Sequence, residues 1–342
     1  MSTVATGRAG KVGLTAVLAA VLVGLSLLAL TLGPYPMSAG DTVGVLWRRL
    51  TGAGAGDSVP EMVLFSIRLP RVVAALLVGA ALGAAGACYQ TLFRNPLVSP
   101  DILGVSAGAG LGAVLGIFLG LSVAGIQLAA FAGGLAAVTL VGFVAAAVRG
   151  RDTVLVLVLA GVVVGALAGA ATSLLKVLAD PYDQLPAITF WLLGSLSGVQ
   201  TEDAASTLPV VLVGLVPLVL LRWRINVLSL GDEEAKSLGI EVGRLRLLVI
   251  GCATLITAAV VAIAGVVGWV GLVMPHIARM LVGPGFGVLL PASALLGAGY
   301  LLLVDTLART IAAAEVPLGI LTAVVGAPFF LWLLARGRRG WT

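Results

Sequence analysis

Charged residues are scarce in this sequence. They make up 10% of the 342 residues, whereas 60% of the residues are hydrophobic. A soluble globular domain contains about 25% charged residues, so a soluble fold of this length would expose far too much apolar surface. A lipid bilayer accommodates such surface. The composition therefore excludes a soluble protein and predicts an integral membrane protein.

The residues of several common active sites are also missing. A phosphate-binding P-loop requires Gly-Lys followed by Ser or Thr. Of the three lysines, only Lys11 follows a glycine, and Val12 comes after it. The single histidine, His276, excludes a multi-histidine metal site, and both cysteines lie inside apolar segments. We therefore predict no enzymatic activity, and no metal or cofactor held by this chain.

The apolar runs are long and continuous, which favours helices over barrel strands. Val12–Gly33 and Val154–Leu175 each lack charge over the length of one helical span. The first run resembles a cleaved signal peptide, but it exceeds the usual apolar core of one, so we interpret it as a retained helix. The ten predicted spans lie near 12–33, 70–92, 103–121, 127–148, 154–177, 205–221, 245–263, 266–281, 288–308 and 317–335.

The distribution of basic residues predicts the orientation of these spans. With the N-terminus in the cytoplasm, 14 of the 20 Lys and Arg residues fall on the cytoplasmic side, as the positive-inside rule favours. The fold class is thus an all-α polytopic membrane protein with about ten transmembrane helices and both termini cytoplasmic. The net charge of +5 reflects this topology rather than nucleic-acid binding. The basic residues predicted outside are Arg48, Arg49, Arg68, Arg71, Lys176 and Arg309.

The connections between the spans predict short helices, and the glycines predict broken spans and close helix contacts. We predict an amphipathic piece near Val43–Leu50 and a short interfacial helix within Ala179–Ala204, and the polar Arg222–Arg246 loop faces inward. Glycines near residues 265–271 predict short or broken helices in the seventh and eighth spans. Glycines spaced by four in the third and fifth spans indicate either close helix packing or a smooth wall of a path.

Carboxylates are absent from the predicted span centres. Asp305 and Glu315 fall near the outer end of the ninth span, and Asp101 falls near the inner face. Because ion-coupled pumps place carboxylates mid-membrane, this distribution disfavours an ion-coupled secondary transporter without excluding it. A membrane scaffold is a second alternative.

A series of motifs follows in order along nearly the whole chain. It comprises Arg68–Arg71, Arg94–Pro100, Trp191–Leu196, Gly231–Gly239, Gly271–Arg279, Pro317–Ile320 and Gly326–Phe329. This ordered set resembles the membrane permease subunits of the ABC importers for iron–siderophores, haem and vitamin B12. The resemblance implies a permease in the bacterial cytoplasmic membrane that pairs with a second copy or a paralogue. It also implies two ATPase subunits, which hold ATP and Mg, on the cytoplasmic face, and a substrate-binding protein outside.

The resemblance also implies roles for two groups of residues. Arg68, Arg71 and Arg309 would receive acidic residues of the binding protein, a task suited to the bidentate guanidinium group. Headgroup anchoring is the alternative for these arginines. The segment Gly231–Gly239 would contact the ATPase, as a short helix with acidic residues at its start and Gly239 as its cap. Its members are Gly231, Asp232, Glu233, Glu234, Ala235, Lys236, Ser237, Leu238 and Gly239.

The same resemblance implies a gate, and the residues themselves indicate two structural motifs. The gate lies where the fourth and fifth spans meet, at Asp152, Thr153, Val154 and Leu155, with Gly161 and Gly165 along the path. Val154 and Leu155 replace the small hydroxyl residues expected of a vitamin B12 permease, which argues against vitamin B12 and leaves the gate chemistry open. The resemblance as a whole implies an iron chelate as substrate. Haem and vitamin B12 remain alternatives. In the structural motifs, Asn95 with Pro96 closes an inner turn, and Pro275 with His276 shapes a helix break.

Overall fold

The computed structural model describes residues 8–52, 58–148 and 153–336, and these residues form helices and connecting turns without a β-strand. The helices are α1 (Arg8–Thr31), α2 (Ala39–Thr51), α3 (Val59–Met62), α4 (Leu69–Leu92), α5 (Val105–Phe118), α6 (Val123–Ala147), α7 (Thr153–Leu178), α8 (Gln184–Leu193), α9 (Thr201–Leu220), α10 (Arg222–Leu228), α11 (Asp232–Ser237), α12 (Val242–Ala264), α13 (Val270–Val282), α14 (Phe286–Ala308) and α15 (Leu318–Arg336).

Every predicted span coincides with a helix. Seven helical stretches in the described part of the chain are long and apolar enough to cross a bilayer, whereas α5, α13 and α15 are shorter apolar helices. The count of ten spans therefore stays a prediction. Between the spans, α2 contains the predicted amphipathic piece, and α8 lies inside the predicted Ala179–Ala204 connection.

The predicted start of the second span, at residue 70, is wrong. The helix begins at Val59 and continues to Leu92, because a π-helical turn over Val63–Arg68 joins α3 to α4. Pro70 suggested a helix start because proline lacks an amide donor. The wider π-helical turn before it accommodates the ring and lets the helix continue.

The break near the eighth span lies earlier than Pro275, which corrects the role predicted for the Pro275–His276 motif. Positive φ angles of 69° at Gly265 and 70° at Trp269 separate α12 from α13, and α12 itself is uninterrupted. Pro275 lies inside α13. Its missing amide frees the carbonyl of Gly271, which packs against Gly86 of α4.

Helix α4 lies at the centre of the bundle and is the most buried of the long helices. It packs along α14, where the backbones of Gly79 and Gly297 touch, and α5 packs along α6 in the same way at Gly108 and Gly133. A β-carbon at any of these positions would overlap a carbonyl oxygen of the facing helix. The glycine spacing in the third span therefore serves close packing.

The bundle has two ends, defined by the functional residues that they carry. At the arginine end, the last turn of α1, the first turns of α4, the end of α14 and the Glu315 loop meet. At the coupling end lie α10, α11 and the turn after α4. Leu14 of α1 packs near Val282, and Leu333 of α15 lies near Pro96, so the chain enters and leaves the bundle at the coupling end.

Candidate functional site

One guanidinium group at the arginine end holds two carboxylates. Nε of Arg71 donates to Oδ1 of Asp305 at 2.7 Å, while Nη1 and Nη2 donate to the two carboxylate oxygens of Glu315 at 2.8 and 2.7 Å. Arg71 is 7% exposed and Asp305 is fully buried. Because charge-assisted bonds in a dry environment are strong, this cluster fixes α4, α14 and the loop before α15 together.

The other two arginines of the docking hypothesis, Arg68 and Arg309, cap the C-terminal end of α1. Arg68 donates through Nη1 to the carbonyls of Leu30 and Thr31, at 2.7 and 2.9 Å, and through Nη2 to that of Tyr35. Arg309 donates through Nη2 to the carbonyl of Ala29 at 2.6 Å. The last carbonyls of a helix have no partner within it, so Arg68 and Arg309 satisfy them and anchor α1.

Glu315 is the member of this cluster that reaches the surface. Its side chain is 26% exposed, and Oγ of Ser195 donates to it at 3.0 Å. Partial burial opposes ionisation, but the hydrogen bonds and charge of Arg71 outweigh it and lower the pKa of Glu315. The carboxylate is therefore ionised at neutral pH and occupies the outer side of Arg71.

The structure brings the three predicted docking arginines together and buries them. Arg68, Arg71 and Arg309 are 2%, 7% and 8% exposed, so a partner's carboxylate would reach Arg71 only by displacing Glu315. Docking thus stays a prediction that requires an exchange of partners. The sequence reasoning missed the pairing with Asp305 and Glu315, although the spacing of Asp305 and Arg309 by four residues was a usable signal.

At the coupling end, α10 fixes the polar segment to the bundle. Ile225 and Leu228 are buried between α4 and α14. Oδ1 of Asn226 accepts a hydrogen bond from the backbone amide of Phe286 at 2.9 Å, at the first residue of α14. Helix α10 therefore contacts the two helices, α4 and α14, that also carry Arg71 and Asp305.

The predicted coupling helix is present as α11. It covers Asp232–Ser237, and Gly239 follows with a φ of 77°, where its amide donates to the carbonyl of Lys236 at 2.9 Å. Its three acidic residues occupy the first turn, as the helix dipole favours. Ala235 is buried, whereas Glu233 and Glu234 are exposed.

One ion pair connects α11 to the long helix that follows. Nη2 of Arg246 in α12 lies 3.0 and 2.9 Å from the two carboxylate oxygens of Asp232. The neighbouring pair, Lys236 with Glu233 at 3.0 Å, is exposed on α11 itself. The acidic face is thus exposed, with Glu233 paired to Lys236, while Asp232 holds α11 to the bundle.

Two further motifs support the coupling end. Oδ1 of Asn95 accepts a hydrogen bond from the amide of Leu97 at 2.9 Å, which closes the turn around Pro96. His276 meets the ring of Phe329 edge to face, with centroids 6.4 Å apart. The first contact lies within the α4–α5 turn, and the second joins α13 to α15.

The predicted gate is described only in part. Asp152 lies outside the described residues, and α7 begins at Thr153. Gly161 packs against the carbonyl of Ile102, and Gly165 lies on the same side near Ala107. The place of both glycines along a path stays a prediction. Helix α7 also has exposed apolar residues, which include Leu155, Leu159, Val162 and Leu167. The gate role of Val154 and Leu155 stays a prediction.

The sequence profile of the FecCD transport family matches residues 20–336 of this chain. The chain belongs to the FecCD transport family. It is therefore an ABC importer permease and a multi-pass protein of the bacterial cytoplasmic membrane. The resemblance stated from the motif series is confirmed.

Relatives of this FecCD permease carry different substrate names. The molybdate import system permease protein MolB of Haemophilus influenzae is 40% identical over 320 residues, which cover 94% of each chain. A probable iron chelatin transport system permease of Helicobacter pylori is 45% identical, over 81% of this chain and 84% of its own. Among solved structures, an inward-facing metal-chelate type ABC transporter is 38% identical, with a TM-score of 0.85 over 95% of this chain and 99% of that chain.

Proposed function

We propose that this FecCD permease forms the membrane pathway of an ATP-driven importer that brings an iron chelate into the cell by alternating access. A second copy or a paralogue completes the pathway. Two ATPase subunits bind the coupling end in the cytoplasm, and a substrate-binding protein docks on the arginine end outside. The observation that carries this proposal is α11, a capped helix with an exposed acidic face and a buried anchor.

The acidic face of α11 is suited to a cleft in the partner ATPase. Glu233 and Glu234 face outward, so closure of such a cleft pushes on them first. The push passes through Asp232 to Arg246 of α12 and through α10 to α14. Rigid elements with satisfied hydrogen bonds transmit such a displacement without local collapse.

Reversing the charge on this face tests the coupling. The double variant Glu233→Arg/Glu234→Arg is expected to lower substrate uptake at least about tenfold, because two unfavourable charge contacts replace two favourable ones at the ATPase. The variant should fold normally, since both side chains are exposed. Uptake in whole cells and co-purification with the ATPase are the measurements.

A charge reversal at the other end of the bundle is the matched control. Glu202 lies exposed in the first turn of α9, and Glu202→Arg should leave ATPase binding intact. Normal uptake by the Glu233→Arg/Glu234→Arg variant would remove α11 from the coupling path.

Docking of the binding protein is expected to compete with Glu315 for Arg71. Glu315→Gln keeps the shape of the side chain and removes its charge. The affinity for the binding protein should then rise about fivefold, which corresponds to roughly 1 kcal/mol of competition removed. Binding of the loaded protein to permease–ATPase complexes in nanodiscs measures it, with the exposed Glu202→Gln as control. An unchanged or lower affinity would show that docking does not use Arg71 by exchange.

The apolar Val154 and Leu155 at the predicted gate argue against vitamin B12, and the motif series as a whole supports an iron chelate as the substrate. Relatives named for molybdate and for iron chelatin are similarly identical in sequence to this chain. Sequence identity therefore does not distinguish these substrates, and a transport assay is needed. We expect uptake of a ferric chelate by the complete importer under iron limitation. Preferential uptake of molybdate, haem or vitamin B12 from the same panel would replace this assignment.

A further inference from the structure

A cavity of about 460 Å³ opens at the coupling end, beside the ends of two long apolar helices. Its walls come from the junction of α9 with α10, from the first turns of α12 and from the connection between α11 and α12, which includes Leu238 and Gly239 of the coupling segment. Leu221 and Leu248 form its apolar side, whereas Trp223, Arg224 and Arg244 form its polar side. The side chains of these five residues make none of the coupling contacts described above.

The polar side of this cavity has the chemistry of a phosphate site. Arg224 and Arg244 are both exposed, and Nη1 of Arg244 lies 2.6 Å from Oε2 of Glu241. Arg224 and Arg244 carry two positive charges and Glu241 carries one negative charge, so this side of the cavity has a net positive charge. A planar fork of N–H donors is the usual partner of a phosphate group.

The apolar side of the cavity continues into the surface that a membrane covers. Leu220 and Leu247, the neighbours of two lining residues, are strongly exposed on α9 and α12. Trp223 is exposed at the same level, where tryptophan typically lies among lipid headgroups. Leu221 and Leu248 lie three and four residues from Arg224 and Arg244, about one helical turn farther from the coupling end. A lipid with its headgroup at the arginines therefore places its acyl chains beside these leucines.

A second cavity suits the apolar part of the same ligand. It has a volume of about 410 Å³ and lies between α6, α7 and α12, with a lining that includes Phe143, Leu157, Leu247 and Ile250. Leu247 of this cavity and Leu248 of the first are consecutive on α12. Side chains of consecutive helical residues point about 100° apart, so an acyl chain from the arginines reaches this second cavity by passing along the exposed surface of α12 at Leu247.

We propose that Trp223, Arg224 and Arg244 form a binding site for an anionic phospholipid at the junction of α9, α10 and α12. The site holds the headgroup phosphate between the two arginines and places the acyl chains along α12. Basic pockets between membrane helices bind anionic headgroups in this way. The proposal requires only that the chain spans a bilayer, and it is independent of the transported substrate.

Native mass spectrometry of the purified permease–ATPase complex tests this site. The complex is extracted from nanodiscs that contain phosphatidylglycerol and phosphatidylcholine in equal amounts. We expect retained phosphatidylglycerol, and about tenfold weaker retention in the Arg224→Gln/Arg244→Gln variant. The matched control is Arg48→Gln/Arg49→Gln, which removes two exposed arginines from α2 at the other end and should retain the lipid.

Three results would overturn the proposal. One is equal retention of phosphatidylglycerol by the Arg224→Gln/Arg244→Gln variant. Another is displacement of the lipid by millimolar inorganic phosphate alone, which would indicate a site for free phosphate. The third is loss of the ATPase with unchanged lipid retention, which would assign the arginines to the protein partner. A further measurement uses phosphatidylglycerol with brominated acyl chains, which should quench the fluorescence of Trp223. The contribution of Trp223 is the difference between the spectra of the wild type and the Trp223→Phe variant.

Discussion

Replacing Arg71 with methionine is expected to destabilise the permease by about 3–5 kcal/mol, the usual cost of removing one partner from a buried ion pair. The variant leaves the charge of Asp305, which is fully buried, without its closest cation. Arg309 lies farther away, with Nε 3.7 Å from Oδ2 of Asp305, and it replaces Arg71 only in part. The measurement is the thermal unfolding temperature in detergent, followed by tryptophan fluorescence.

The double variant Arg71→Met/Asp305→Asn separates the buried charge from the lost packing. It is expected to recover most of the stability, because the uncompensated carboxylate is gone and Glu315 can turn into solvent from its half-exposed loop. Arg49→Met is the control, since its pair with Glu61 at 4.0 Å is exposed on the arginine side and contributes under about 1 kcal/mol. If Arg71→Met matches Arg49→Met in stability, the cluster does not hold α4 to α14.

The sequence predicted those features that depend on local signals. The spans follow from apolar runs long enough for a bilayer, and each run coincides with a helix. The coupling helix follows from three acidic residues after Gly231 and from Gly239 as its cap, which are signals within nine residues of chain. The helix α11 begins and ends where those residues indicate.

The arginine cluster depends on distant residues, so the sequence indicated its place but not its partners. The residues bonded to Arg71 are 234 and 244 positions away along the chain. Only the folded bundle brings them together and removes water from them. From sequence alone, Asp305 and Glu315 therefore looked like isolated acids, and the arginines looked accessible to a partner.

The sequence pattern also did not predict the local backbone conformation at places where two sequence signals conflict. Pro70 indicated a helix start, but the π-helical turn over Val63–Arg68 carries the helix past it. Glycines with the same spacing also differ in their surroundings. Gly161 touches the carbonyl of Ile102, whereas a β-carbon at Gly169 would meet open space. Spacing alone does not distinguish these surroundings, because each depends on which helix lies opposite.

The crossing of α4 and α14 gives the second large expected effect. Gly79→Ala should destabilise the permease by at least about 1–3 kcal/mol, the usual cost of overpacking. The new methyl group would overlap the backbone carbonyl of Gly297, which has no side-chain torsion by which to move away. Gly24→Ala in α1 is the matched control, because a β-carbon there meets nothing within 4 Å and alanine favours helix.

A second substitution at this crossing should lower the stability further, whereas adding Asp305→Asn to Arg71→Met should restore it. Gly297→Ala adds another methyl group to the same contact, so Gly79→Ala/Gly297→Ala is expected to unfold at a lower temperature than either single variant. The cause is backbone proximity, which no added atom relieves. If Gly79→Ala and Gly24→Ala unfold at the same temperature within error, α4 and α14 can move apart without loss of stability, and the arginine cluster alone keeps them together.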